Sequence, residues 1–140
     1  MYCKKFKSTY KNLKVLVTGS TGFKGSWLSF WLNKLDAKVI GVGLRPEKDN
    51  ILFSSLKLNK KINQHYIDIC DYNKMSSIIK KAQPDIIFHL AAQSIVSDSY
   101  RDPLHTIRTN TLGSTNLLEI IKRNKLKNLI YITSDKCYLN

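Results

Sequence analysis

The stretch KVLVTGSTGFKG, residues 14–25, constrains the fold of this chain more than any other part of it. A short β-branched apolar run, Lys14–Thr18, passes straight into three glycines spaced three apart, Gly19, Gly22 and Gly25. A helical pattern follows at once, with Phe23, Trp27, Phe30, Trp31 and Leu35 at helical spacing. A strand that is apolar on both faces belongs in a parallel sheet covered by helices on both sides. Glycines at these positions permit a tight turn and a close approach of backbone to a diphosphate, which the free N–H groups of the helix start attract. A glycine pattern alone also occurs in ordinary turns. The strand before it, the helix after it and its place as the first such unit point to dinucleotide binding.

The rest of the chain repeats the alternation. Strands are expected at 38–44 (KVIGVGL), 65–69 (HYIDI), 85–91 (DIIFHLA) and 128–134 (NLIYITS). Residues 46–63 read as polar and irregular, with a short helical turn around ILFSSL. Asp71 is placed to cap a helix whose inner face carries Met75, Ile78, Ile79 and Ala82. Asp102-Pro103 is a second helix start, a capping side chain followed by proline at the first helical position. Leu104, Ile107, Thr111, Ser114, Leu118 and Ile121 line one side of that long helix. Five strands alternate with helices, without internal repeat or linker. The expected fold is one α/β domain over residues 1–140, a doubly wound parallel sheet of Rossmann type.

Composition narrows the function classes. A 140-residue chain with 43% apolar and 24% charged residues is globular. Its longest apolar stretches, DIIFHLAA and NLIYI, are too short to span a bilayer. The basic start is followed only by VLV, so secretion is not expected. Cys3, Cys70 and Cys137 are odd in number and lack metal-ligand spacing, which argues against a disulfide set and a zinc site. A reducing cytoplasm fits them. The net charge of +13 is built mainly from 19 scattered lysines, without the patch of arginines and aromatics that a nucleic-acid surface uses. Anionic small ligands suit it better.

Several single residues bear on the site. A dinucleotide site of this kind usually has an acid at the end of the second strand to bind ribose hydroxyls. Here that place falls near Gly43, and the neighbouring charge is Arg45, which on spacing alone weakens an NAD reading and leaves NADP open. Asp68 reads on spacing alone as a solvated strand-end carboxylate, placed where an adenine edge could meet it. Small Ala91 and Ala92 would let backbone pass close to a flat cofactor. His89, inside a strand, reads as a hydrogen-bonded core histidine, and Asn110 as a buried polar bridge between helix and sheet.

Taken together, VTGSTGFKGSWL, HLAAQSIVSDSYRDP, TNTLGSTNLLE and TSDKCY resemble the extended short-chain dehydrogenase/reductase family of nucleotide-sugar enzymes. Within it, the lysine of TSDKCY and the FKGSW of the glycine loop look most like the CDP-glucose 4,6-dehydratase subgroup; sister dehydratases carry Thr-Asp-Glu at this strand end. The resemblance covers nearly everything from Lys14 to Asn140. It implies a bound NAD that takes the hydride from the sugar's C4, loss of water across C5 and C6, and return of the hydride to C6. By the same matching, Gly19, Gly22, Phe23, Lys24 and Gly25 would lie at the cofactor diphosphate and Asp68-Ile69 at its adenine. Leu90, Ala91, Ala92 and Thr109 would line its further half, and Ser94 would touch substrate. Ser134 would hydrogen-bond the sugar's 4-hydroxyl and Asp135 would protonate the departing C6 hydroxyl. Lys136 would stand where sister enzymes place the base for the C5 proton, or else pair with Asp135. The subgroup uses NAD although it lacks the acid at Gly43.

One part of the family pattern is missing. Its catalytic Tyr-x-x-x-Lys pair lies beyond the fifth strand. Tyr10 and Lys14 have that spacing, but they precede the first strand, and Tyr138 has no residue four positions on. The resemblance therefore implies the N-terminal cofactor-binding part of such an enzyme, incomplete at the C-terminus and without the lobe that binds CDP-glucose or another nucleotide sugar. These residues alone are expected to be inactive, and a full-length form to be a homo-oligomer. Another nucleotide-sugar epimerase or dehydratase, or a non-catalytic dinucleotide-binding module, remain the alternatives.

Overall fold

The apolar run Lys14–Thr18 becomes the central strand of a five-stranded parallel sheet in a computed structural model that describes residues 8–46 and 51–134. The strands are β1 (Lys14–Thr18), β2 (Lys38–Gly43), β3 (Asn63–Tyr66), β4 (Ile86–His89) and β5 (Leu129–Tyr131), in the order β3-β2-β1-β4-β5. Val15 pairs in register with both Val39 and Ile86, so β1 is hydrogen-bonded on each side. The strand order reverses between β1 and β4. Sheets of this topology open a crevice at that point, at the strands' carboxyl ends.

The alternation of side chains along each strand divides the core in two. Val15, Val17, Val39 and Phe88 pack with Leu32 of α1 (Phe23–Lys34) and with Phe53 of α2 (Ile51–Ser55) on one face. Leu16, Ile40, Val42 and Ile87 pack on the other face with Met75 and Ile79 of α3 (Tyr72–Ala82). Leu117 and Ile120 complete that second layer. They belong to a helical run that starts as α4 (Val96–Arg101) and α5 (Pro103–Ile107). It passes through a π-helical segment (Arg108–Gly113) and ends as α6 (Ser114–Arg123). Both expected caps form: Asp71 accepts from the Lys74 amide at 3.1 Å and Asp102 from the His105 amide at 2.9 Å.

Helical spacing identifies α1 without giving the side that meets the sheet: Phe23 is 68% and Trp31 64% exposed and Phe30 is half-buried against the core, while Gly25, Ser26, Ser29 and Leu32 are buried. Small side chains are needed there because α1 starts against the loop that leaves β1. A Cβ on Gly25 would lie 2.0 Å from the Gly19 carbonyl oxygen. The face expected for the long helix holds only in part: Ser114 is buried and Ile121 packs on the core, but Leu104, Ile107, Thr111 and Leu118 are exposed, and Leu117 and Ile120 point inward in their place. The π-helical turn adds residues per turn and so resets the inner face between Ile107 and Ser114. Finally, β3 runs over Asn63–Tyr66 instead of 65–69, because its partner β2 ends at Gly43, which pairs with Tyr66. Half of the fourth and fifth strand expectations likewise proves to be loop, with pairing confined to Ile86–His89 and Leu129–Tyr131.

Replacing Gly25 with alanine is expected to cost about 3 kcal/mol or more, since the added carbon meets backbone that cannot swing away. Urea unfolding measures it, and an unchanged midpoint would contradict the close approach of α1 to the β1 loop.

Candidate dinucleotide site

Gly19 leaves β1 with φ of +71°, the left-handed region that side chains disfavour. A Cβ there would also lie 2.8 Å from the Ala91 nitrogen and 2.9 Å from the Leu90 carbonyl carbon. The turn is closed by the Gly22 amide donating to the Gly19 carbonyl at 3.0 Å, and it is tied to β2 by the Ser20 amide donating to the Val42 carbonyl at 3.2 Å. The Ser26 hydroxyl donates back to the Ser20 carbonyl at 3.1 Å. Gly22 is the N-cap of α1; it offers no capping side chain, and the first turn carries no acidic residue. The positive end of a twelve-residue helix is thus left for an anion, with exposed Phe23 and Lys24 beside it.

The end of β2 explains the missing acid. A Cβ at Gly43 would come within 2.6 Å of the Thr21 hydroxyl oxygen, so Thr21 fills the space an acidic side chain would need. Next to it the Arg45 guanidinium lies over the Tyr66 ring, 4.9 Å from its centroid. Asp68 folds onto its own turn, accepting from the Cys70 amide at 2.8 Å. Ile69 is buried, its side chain against Gly113. Burial, and then the Asp68 carboxylate, push the Cys70 thiol up, away from reactivity. Cys3 and Cys137 lie outside the described residues, among which no cluster of His, Cys, Asp or Glu could hold a metal.

On the other side of the crevice, half-buried Leu90 and Ala91 face the glycine turn, while Ala92 and Ser94 are exposed in the loop that follows. Asn110 does not bridge helix to sheet. It clamps that loop from the π-helical segment, accepting from the Gln93 amide at 2.8 Å and donating to the Gln93 carbonyl at 2.9 Å. Thr109, beside it, is half-buried. Ser134 is exposed three residues beyond β5. Asp135 and Lys136 lie outside the described residues.

Beneath the crevice lies a polar chain that the motifs did not single out. His89 is 2% exposed; its Nδ1 is 2.6 Å from the Thr18 hydroxyl and its Nε2 is 2.9 Å from the Ser114 hydroxyl. The Tyr131 hydroxyl donates to Ser114 at 2.8 Å, and its ring meets His89 edge-on. The expectation of a satisfied core histidine therefore holds. The available signal for the rest was Thr18 and Ser114, hydroxyls standing at positions whose neighbours in the pattern are apolar.

Residues 16–138 match the family described as GDP-mannose 4,6 dehydratase. The chain belongs to that family. The CDP-glucose 4,6-dehydratase of Salmonella typhimurium is 43% identical over 135 residues, 96% of this chain and 38% of that protein. Among solved structures, the UDP-glucose 4-epimerase of Thermotoga maritima, determined with UDP-glucose, superposes with a TM-score of 0.75 at 32% identity. The match takes in 85% of this chain and 37% of that one. The Thermus thermophilus UDP-glucose 4-epimerase, in complex with NAD, gives 0.72 at 27%, over 84% of this chain and 36% of that one. The chain thus spans well under half the length of these members and neighbours of the dehydratase family.

Burial holds the His89 imidazole uncharged, lowering its pKa from 6.5 to about 4. Between those values the unfolded chain binds more protons than the folded one, so stability falls as pH drops from about 6.5 to about 4. The loss from this ring is about 3 kcal/mol at most. His65, lowered by burial and then by Lys81, adds in the same direction. Urea midpoints taken across that range should decline, and His89→Asn should flatten the decline. A profile that is flat for the unmodified chain contradicts the buried neutral ring.

Proposed function

We propose that this chain is the N-terminal cofactor-binding part of a nucleotide-sugar 4,6-dehydratase that binds NAD and acts on CDP-glucose. The observation that carries the cofactor half is the left-handed Gly19, packed on Ala91 at the strand-order switch point and leading into an uncapped helix start. Those residues fit a dinucleotide diphosphate: backbone amides and a helix dipole face the space, and Cβ atoms that would block it are absent. The CDP-glucose half is supported by the 43% identity with the Salmonella enzyme and by the TSDKCY strand end. No described helix is long and apolar enough to cross a membrane, and a cytoplasmic site of action suits the reaction.

When bound, the nicotinamide would supply reversible uptake of the C4 hydride. Gly19, Gly22 and the first-turn amides at Phe23 and Lys24 would hold the diphosphate, and the Asp68-Ile69 turn the adenine. Leu90, Ala91, Ala92 and Thr109 would flank the other half, with Ser94 near the sugar. Ser134 would orient the 4-hydroxyl, and Asp135 would donate a proton to the leaving C6 oxygen. Lys136 would accept the C5 proton, which requires neighbours or burial to favour its neutral form. Deprotonation of the 4-hydroxyl by a tyrosine would fall to residues beyond these 140.

Isothermal titration of the chain should show NAD binding. Tighter binding of NADP would instead favour the reading suggested by Arg45 beside a β2 end without an acid. The 140 residues by themselves should form no 4-keto sugar from CDP-glucose; measurable product would sink the assignment of catalysis to a longer protein. In the complete protein, Lys136→Met should abolish solvent deuterium uptake at C5. Uptake at the normal rate would leave Lys136 as a partner of Asp135 only.

A further inference from the structure

We propose that His89 is a positioning residue for the dinucleotide loop. Held as the neutral Nε2–H tautomer between Ser114 and Thr18, it fixes Thr18 in the orientation that docks the Leu90–Ala91 backbone under Gly19. The inference rests on the dinucleotide reading of the site and adds to it a residue that touches no ligand.

The direction of the protons on Thr18 and His89 follows from two amides that cannot reverse. The Ala91 amide donates to the Thr18 hydroxyl oxygen at 3.2 Å, and the Leu90 amide is shared between that oxygen and the Thr18 carbonyl, 3.2 Å from each. A hydroxyl has two lone pairs and one proton. With two amides directed at its oxygen, Thr18 must send its proton to His89 Nδ1, 2.6 Å away. The ring proton is therefore on Nε2, which donates to the Ser114 hydroxyl oxygen at 2.9 Å. Tyr131 donates to the same oxygen at 2.8 Å. The chain thus runs from β5 and the start of α6, through β4, to the last residue of β1.

Its end is where the site is built. The Ala91 nitrogen, held by Thr18, is the nearest atom to a Cβ placed on Gly19, at 2.8 Å. The left-handed turn at Gly19 is thus seated on a backbone whose position is set by the Thr18 hydroxyl. Without an acceptor at Nδ1, Thr18 would leave its proton unpaired in a buried place or rotate away from the two amides.

Long-range proton–nitrogen NMR of the unmodified chain should show Nε2 protonated and Nδ1 bare; a protonated Nδ1 overturns the proposal. His89→Asn places a side-chain oxygen where Nδ1 accepts, whereas His89→Leu offers no acceptor. The leucine variant should weaken NAD binding by about tenfold or more, and the asparagine variant by about threefold or less. This split should persist when the two are matched for folded fraction. NAD affinity equal to that of the unmodified chain in folded His89→Leu, or affinity that merely follows stability in both variants, also overturns it. The tautomer is read without substitution, so a leucine variant that fails to fold leaves the proposal testable. An unmodified chain that binds no NAD would defeat the dinucleotide reading instead, and the ring-nitrogen signals would still judge the hydrogen-bonded chain itself.

Discussion

The carboxyl end of this sheet depends on one close approach, that of the Gly19 turn to two other pieces of backbone at once. On one side lies the exit of β4, 2.8 Å from a Cβ on Gly19; on the other lies the first turn of α1, where a Cβ on Gly25 would be 2.0 Å from the Gly19 oxygen. Both contacts exclude any side chain larger than hydrogen. They set the height of α1 over β1 and the gap between β1 and β4. They also require small residues where α1 starts against the β1 loop, so Gly25, Ser26 and Ser29 face inward there and Leu32 reaches the core beyond them. The helix consequently carries Phe23, Trp27 and Trp31 outward, against the usual sorting of large apolar side chains into cores.

The same economy of space governs the second strand. Thr21 belongs to the glycine turn, yet its hydroxyl stands in front of Gly43 and removes the room for an acid. The recognition of a ribose at this edge must therefore come from what surrounds the gap: the Arg45 guanidinium stacked on Tyr66, the backbone of the 67–70 turn, and the general positive charge of the chain. A loop that fits a diphosphate closely has, in this chain, displaced the side chain that most such sites use one step further along the cofactor.

How far the sequence revealed this depended on whether a feature was local. The strand alternation, both aspartate caps and the core face of α3 were legible because each rests on spacing within a few residues. The glycine turn was legible for the same reason. The outward aromatic stripe was not, since helical spacing identifies a helix but does not say which side meets the sheet. The inner face expected for the long helix held at Ser114 and Ile121 but not ahead of the π-helical segment, which shifts the register without any proline or glycine pair to announce it. The clamp of Asn110 on Gln93 and the placement of Thr21 against Gly43 join residues 17 and 22 positions apart, through contacts that only the assembled fold creates.

The polar chain beneath the crevice illustrates why a core keeps groups that cost it stability. Apolar side chains in place of Thr18, His89 and Ser114 would avoid desolvating three hydrogen-bonding groups. They would also leave the Ala91 amide without its acceptor and remove a directional tie on the position of the β4 exit. Dispersion contacts tolerate shifts of a few tenths of an ångström, whereas a hydroxyl that must accept from fixed amides and donate to one ring nitrogen has a single satisfied arrangement. Ser114 opens α6 right after the π-helical segment, so that irregular turn also has a consequence: it lets Ser114 face inward although Ile107, seven residues earlier and on the same side of a regular helix, is exposed. The irregular helix, the buried histidine and the left-handed glycine are therefore parts of one arrangement, and each makes sense only because the other two are present.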